Sequence, residues 1–391
     1  MAVTVASDSW RRIRRLRAHP PLLAGVEVDE TRTRVFQAAL AQAEELWEAA
    51  SVVGAASRPL PLFYCLSQAG RAVCAAWTTG GAWEPTGHGL TTAGQEGDVD
   101  IASFEVRVPN NAARGMYPMV AAATDSMIFE GSATIAALWA ALPDLPRASI
   151  TQNELMPLHV EAKRLVGDDV ITSLLAPRIA GLTYPRPPQV TLDLTDLNEA
   201  DLAADPNAAS EALAERLRGL LVDYPSIADG AVEVVDNIAG RFGPEHGVIL
   251  RVPDGDGGYR PLFDFADRTP SEAALSEAKF IIRPRQGTGF GIPPSQLMTL
   301  WALLYGLSQL ARHHPAAWVG ALNPDRSPIA VDLEHVLDSA LELVPDLLVP
   351  AVSNGAMPRL VREHVAAERE RARLQEEVDA EALATDEPPA Q

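Results

Sequence analysis

The sequence predicts a mainly helical α+β protein, with a helical core drawn from both ends of the chain and a mixed α/β segment between them. Three observations lead there. Apolar residues recur at helical spacing over 29–51, 61–77 and 295–313. Short strand-like apolar runs concentrate between 189 and 283. One eight-residue phrase occurs in both helical parts: Tyr64-Cys65-Leu66-Ser67-Gln68-Ala69-Gly70-Arg71 and Tyr305-Gly306-Leu307-Ser308-Gln309-Leu310-Ala311-Arg312 both read Y-x-L-S-Q-x-small-R. On a helix, Tyr, Ser or Gln, and Arg at these spacings share one face, so each copy carries a polar stripe beside a Leu-rich one. The expectation is that the two helices pack side by side.

The first amphipathic helix is expected from Asp29 to about Ser51, with Phe36, Ala39, Leu40, Ala43 and Trp47 on its apolar face. After the break at Arg58-Pro59-Leu60-Pro61, a second runs from Pro61 to Trp77, and the two form an αα-hairpin. A loop with Gly80, Gly81, Gly87, His88 and Gly89 follows. Asp98 to Val108 alternates as a strand, and Ser132 to Leu142 reads as a short helix ended by Pro143 and Pro146. In the middle, strands are expected over 189–194, 247–252, 259–265 and 279–283, a helix from Asn207 to Leu221, and a hairpin turn at 254–258. The most hydrophobic helix spans Ser295 to His313 and stops at Pro315. Another runs from Pro328 to Val344 and is ended by Pro345. Residues 374–391 hold six acids and no base, the composition of a disordered tail. The expected division is 1–185 helical with a small β excursion, 186–292 mixed, 293–356 helical and packed on the first part, and 357–391 a charged tail.

A net charge of −20 disfavours non-specific binding to nucleic acid or to anionic membrane. The arginines at 11, 12, 14, 15 and 17 are expected to pair with the chain's own carboxylates rather than with phosphate. No apolar run reaches the roughly 18 residues of a membrane span, and Pro20 to Val26 is too short for a signal-peptide core, so a cytoplasmic protein is expected. Cys65 and Cys74 lie on one helix, about 13 Å apart, beyond the about 7 Å a disulfide tolerates. Reduced, buried thiols are the expectation.

Candidate ligand-binding residues are Tyr64, Arg71, His88, Arg283, Arg285, Tyr305, Arg312 and His313. Arg312-His313-His314 closes a helix, where cations complement the free carbonyls; the alternative is an anion site, with Arg as a fork of donors and His as a proton carrier. His88 sits among glycines that let the backbone approach a ligand closely; the bland alternative is a loop histidine that only stabilises a turn. Arg283 and Arg285 precede the glycines at 287, 289 and 291, which present amides to an anion or simply link to the last helices. That segment is neither a P-loop nor a dinucleotide fingerprint. There is no Gly-x-Ser-x-Gly, no His-Glu-x-x-His and no Cys-pair metal motif, so no cofactor or metal is expected.

Three places resemble the YaaC-like family: Phe63 to Ala72, His88-Gly89-Leu90, and Leu307 to Trp318 with its Leu-Ser, Ala-Arg, His, Pro and Trp. The resemblance runs from Trp10 to about Val352. It implies little about function; the first reading is a protein that acts by binding a protein partner or an anionic, nucleotide-like group, with a homodimer as a further partner expectation. It also implies a likeness to the HEPN class of helical modules, some of which cut RNA with an Arg and a His four to six residues apart. Here that spacing occurs at Arg14…His19, Arg241…His246 and Arg359…His364, none in the expected core helices. An Arg312/His313 ribonuclease or nucleotide-processing site is therefore the second reading.

Overall fold

The computed structural model describes residues 2–21, 30–79, 82–93, 99–145, 148–161 apart from 153 and 156, and 293–354. Between them it describes 191–192, 219, 222–226, 228, 231–235, 247–251, 267–268 and 279–285. The protein is mainly α with small antiparallel sheets, an α+β arrangement.

Helix α1 spans Ala2–Ala18, α2 Glu30–Val52 and α3 Pro59–Trp77. The prolines at 59 and 61 open α3 instead of breaking it, because the first turn of a helix has no use for their missing N–H groups. Strands β1 (Thr91–Thr92), β2 (Glu105–Arg107) and β3 (Ser132–Thr134) form a three-stranded antiparallel sheet in that order. The strand expected over 98–108 is thus reduced to three residues, with a turn at 101–103. The helix expected from Ser132 begins three residues later: β3 pairs with β2, and Thr134 then caps α5 (Ile135–Ala140), its hydroxyl accepting from the Ala137 amide at 3.1 Å. Helix α4 (Met116–Ala123) lies between β2 and β3.

In the middle of the chain, β4 (Leu158–Glu161), β5 (Thr191–Leu192), β8 (Asp267–Arg268) and β9 (Lys279–Ile282) form an antiparallel sheet in the order β5-β4-β9-β8. Strands β6 (Ala231–Val235) and β7 (Gly247–Arg251) form a two-stranded ribbon. Three expected strands therefore appear. The strand over 259–265, the helix over 207–221 bar Gly219, the turn at 254–258 and the acidic tail lie outside the described residues.

Helix α6 spans Gln296–His313, α7 Pro315–Ala321 and α8 Ala330–Asn354. Ser295 caps α6 by accepting from the Met298 amide at 3.4 Å, and Pro315 occupies the first turn of α7. One expectation fails: α8 does not stop at Pro345 but continues through it and through Pro350. A proline inside a helix deprives the carbonyl four residues back of its donor. Here that carbonyl is Leu341, and the indole N–H of Trp47 donates to it at 2.8 Å. The side chain from α2 replaces the missing backbone bond, so the helix survives.

A single core cluster joins Trp10 and Ile13 of α1, the apolar faces of α2 and α3, Tyr117 and Trp139, almost all of α6, and Leu333 to Val352 of α8. The N- and C-terminal helices thus share one core. Cys65 and Cys74 are free and buried within it. The basic cluster on α1 meets acids of α1 and α2: Arg11 pairs with Asp8 at 2.7 Å, Arg14 with Glu44 at 2.6 Å, and Arg17 with Glu44 at 3.8 Å. Among the described residues no helix is long and apolar enough to cross a membrane.

Candidate functional site: a ring cluster around His88

The two copies of the repeated phrase lie on α3 and α6, which pack against each other in the core. Phe63 and Tyr305 meet edge to face, with ring centroids 5.3 Å apart. His88 completes the cluster from the loop after α3. Its ring lies 5.1 Å from Phe63, 6.3 Å from Tyr64 and 6.3 Å from Tyr305.

The loop that delivers His88 is held by backbone. Gly87 and Gly89 take positive φ of 70° and 74°, a region that L side chains seldom occupy. A Cβ on Gly89 would stand 2.5 Å from Cδ of Pro118 and 3.0 Å from Cα of Gly115, so the loop lies flat on the start of α4. The free amides at that helix start are then satisfied by the loop itself. Met116 donates to the Gly87 carbonyl at 3.1 Å and Tyr117 to the His88 carbonyl at 3.0 Å. One carbonyl further on, the Tyr305 hydroxyl donates to Leu90 at 3.0 Å. His88 is therefore fixed from two sides while its ring stays exposed.

Arg71 and Arg312 lie seven residues beyond Tyr64 and Tyr305 on the same two helices. The His88 imidazole is held below its ordinary pKa, first by partial burial, then by the Arg312 guanidinium, then by that of Arg71. Burial raises the Tyr305 phenol, with Arg312 opposing it. Both arginines are exposed, and among the described residues neither has an ion-pair or hydrogen-bond partner. Arg312 and His313 stand in the last turn of α6, where their charge complements the helix dipole, but Arg312 makes no hydrogen bond to the last carbonyls among the described residues. The end of α6 is closed by the His314 amide donating to the Leu310 carbonyl at 2.9 Å, with the His314 ring edge-on to Phe104.

Three of the eight expected residues, Tyr64, His88 and Tyr305, meet in one ring cluster, and the charges of Arg71 and Arg312 act on its imidazole. The other three have different surroundings. Arg283 donates to the Pro293 carbonyl at 2.7 Å, and Arg285 forms an ion pair with Asp223 at 2.7 Å. Both bonds tie the strand that ends at Ile282 to its surroundings. His313 is exposed at the last position of α6. Sequence reasoning gave Phe63 no place in the site, although it touches all three other rings. The signal was the Phe63-Tyr64 doublet, since adjacent positions on a helix near the core boundary put one ring inside and one out.

The remaining reactive groups do not supply a nucleophile. Burial pushes the Cys74 thiol up to about 12 and raises Cys65 as well, so neither is a thiolate at neutral pH. Ser67 and Ser308 are buried and donate to carbonyls of their own helices, Phe63 and Tyr305. No group of three or more His, Cys, Asp or Glu side chains able to hold a metal occurs among the described residues. Of the Arg/His spacings, Arg14 is engaged by Glu44, while 241, 246, 359 and 364 lie outside the described residues.

No curated protein and no solved structure matches the chain. A family model does match, over residues 17–177, which excludes the late Leu307 to Trp318 motif but contains α2, α3 and the loop that carries His88. That span, which holds Tyr64, Arg71 and His88, is similar to YaaC-like proteins.

Proposed function

We propose that the protein acts by binding an anionic, nucleotide-like ligand at the ring cluster around His88. The observation that carries this reading is that the two helices whose tyrosines ring His88 each expose an arginine, Arg71 and Arg312, that is unpaired among the described residues. The chain has 52 acidic residues against 32 basic ones, so a carboxylate for each arginine was compositionally cheap. Elsewhere Arg11, Arg14, Arg17 and Arg285 all have one. Like charges gathered without a counter-ion repel, and a bound anion relieves that repulsion. Arginine presents a donor fork matched to phosphate, and the exposed Tyr64 ring offers a face for a planar base.

The second reading, a ribonuclease or nucleotide-processing site at Arg312 and His313, has less support. The imidazole that meets Arg312 is His88, and no activated nucleophile accompanies them. Calorimetric titration of the purified protein with 5′-AMP, ATP and inorganic phosphate tests the proposal. Saturable binding is expected, weakened about tenfold or more in Arg71→Ala/Arg312→Ala at unchanged melting temperature. Absence of saturable binding to all three, or equal binding by the double variant, refutes it.

A further inference from the structure

A cleft of about 510 Å³ opens between the first two helices, and it shares no residue with the ring cluster. Arg14, Arg17 and Ala18 of α1 line one wall, and Arg34, Gln37 and Ala38 of α2 line the other. Three guanidiniums therefore line it and no carboxylate does, in a chain with 52 acidic residues against 32 basic ones. Helical spacing explains the two walls. Arg14 and Arg17 are three apart and share a face of α1, while Arg34, Gln37 and Ala38 share a face of α2. Both walls are anchored from behind: Trp10 and Ile13 of α1 and Phe36, Ala39 and Leu40 of α2 are buried in the core. The Gln37 amide donates to the Arg17 carbonyl at 3.1 Å and clips the end of α1 to α2. Ala18 and Ala38 have nothing beyond Cβ to fill the space between the arginines.

The nearby acids do not neutralise this lining. Glu44 pairs with Arg14 at 2.6 Å and lies 3.8 Å from Arg17, so two arginines share one carboxylate. Glu48 is 3.9 Å from Arg14 and Glu30 is 3.9 Å from Arg34, beyond hydrogen-bond distance, and both acids stand largely in solvent. Exposed pairs at such separations contribute little. The lining also lacks any aromatic or large aliphatic side chain, so nothing in it holds a base. Guanidinium forks recognise phosphate oxygens, and three of them match a diphosphate in charge more closely than a single phosphate. We propose that the cleft between α1 and α2 binds a compact polyanion of the diphosphate class, held by Arg14 and Arg17 from one helix and by Arg34 from the other. This site is independent of the reading given for His88.

Inorganic pyrophosphate and orthophosphate are titrated calorimetrically into the full chain: wild type, Arg34→Ala, Arg17→Ala/Arg34→Ala and Arg71→Ala/Arg312→Ala. Thermal melts confirm that each variant is folded. Pyrophosphate is expected to bind saturably, roughly tenfold or more tightly than orthophosphate, and to lose that much affinity in Arg17→Ala/Arg34→Ala. Among the described residues Arg34 pairs only with the exposed Glu30, so Arg34→Ala is expected to fold even if the double variant does not, and to weaken pyrophosphate binding by itself. Saturable binding should persist in Arg71→Ala/Arg312→Ala. Absence of saturable pyrophosphate binding, or binding unchanged by Arg34→Ala, overturns the proposal. Loss of binding in Arg71→Ala/Arg312→Ala alone also overturns it, because the anion would then sit at the ring cluster. Equal affinity for orthophosphate overturns the diphosphate class.

Discussion

The copy of the repeated phrase on α3 keeps its tyrosine at the surface, and the copy on α6 buries it. Tyr64 is 37% exposed, whereas Tyr305 is 6% exposed with its hydroxyl bonded to Leu90. The rest of the phrase behaves alike in both. Leu66 and Leu307 are fully buried, Ser67 and Ser308 turn back onto their own helices, and Arg71 and Arg312 stand in solvent. Helical spacing decides which positions point inward, so the leucines, serines and arginines agree. What lies outside the helix decides the rest. The loop offers the Leu90 carbonyl to Tyr305, and among the described residues no such bond reaches Tyr64. A second divergence has the same origin. Copy one places buried Cys65 after its tyrosine, while copy two has Gly306, where a Cβ would stand 2.5 Å from Cδ1 of Ile135 and 2.9 Å from Cγ2 of Val106. Helix α6 is pressed against β2 and α5 at that point and has no room for a side chain.

If the shared positions are equivalent, Leu66→Ala and Leu307→Ala should each cost about 2–5 kcal/mol, the range for emptying a buried leucine site. Urea unfolding of the two variants checks this, and a near-silent substitution at either site breaks the equivalence. Where the copies differ, exchange should be costly. Gly306→Cys, which makes copy two read like copy one, overpacks the contact with Ile135 and Val106 and should destabilise by about 1–3 kcal/mol. Tyr305→Phe leaves the Leu90 carbonyl without its donor and should cost on the order of 1–2 kcal/mol, while Tyr64→Phe should be close to neutral. Comparable losses at both tyrosines would mean that Tyr64 is not the free partner.

Much of this was legible in the chain. The regular apolar faces of α2, α3 and α6 fix those helices within a residue or two, and the repeat pointed to Tyr64, Arg71, Tyr305 and Arg312. Helix α1 was legible only as a charged helix face at the arginines, because among its described side chains the buried apolar ones are Trp10 and Ile13 alone. Helix α4 carries a proline at 118, and β1 to β3 are two or three residues long, too short for an alternation to register. Pro345 misled because a proline rule counts only backbone donors, and the Trp47 indole comes from another helix. The place of His88 between the tyrosines depends on the antiparallel order of α3 and α6 and on the close approach of Gly89 to Gly115. Neither is written in the local sequence of His88.

The arginines should matter least to folding. Both are exposed and unpaired among the described residues, so Arg71→Ala and Arg312→Ala are each expected to change stability by no more than about 0.5 kcal/mol. A larger loss at either would mean that it holds the fold together rather than waiting for a ligand. Their clearest mark is on His88. Its folded pKa is lowered, so between that value and the unfolded value of about 6.5 the unfolded chain binds more protons. The contribution of His88 to stability is therefore fully present above about pH 6.5 and is lost as pH falls through the folded pKa. Replacing both arginines removes two of the three causes of the lowering and leaves partial burial. The imidazole should then titrate closer to its ordinary value, and the pH dependence in that window should shrink. A bound anion acts in the same direction by cancelling the two charges, so it should raise the His88 pKa and bind more tightly as the pH falls. Proton NMR of the imidazole in wild type, double variant and wild type with 5′-AMP reads all three. A His88 that titrates at its ordinary value in wild type, or ignores both substitutions, would show that the guanidiniums do not converge on it. The two copies of the phrase would then share a core without sharing a site.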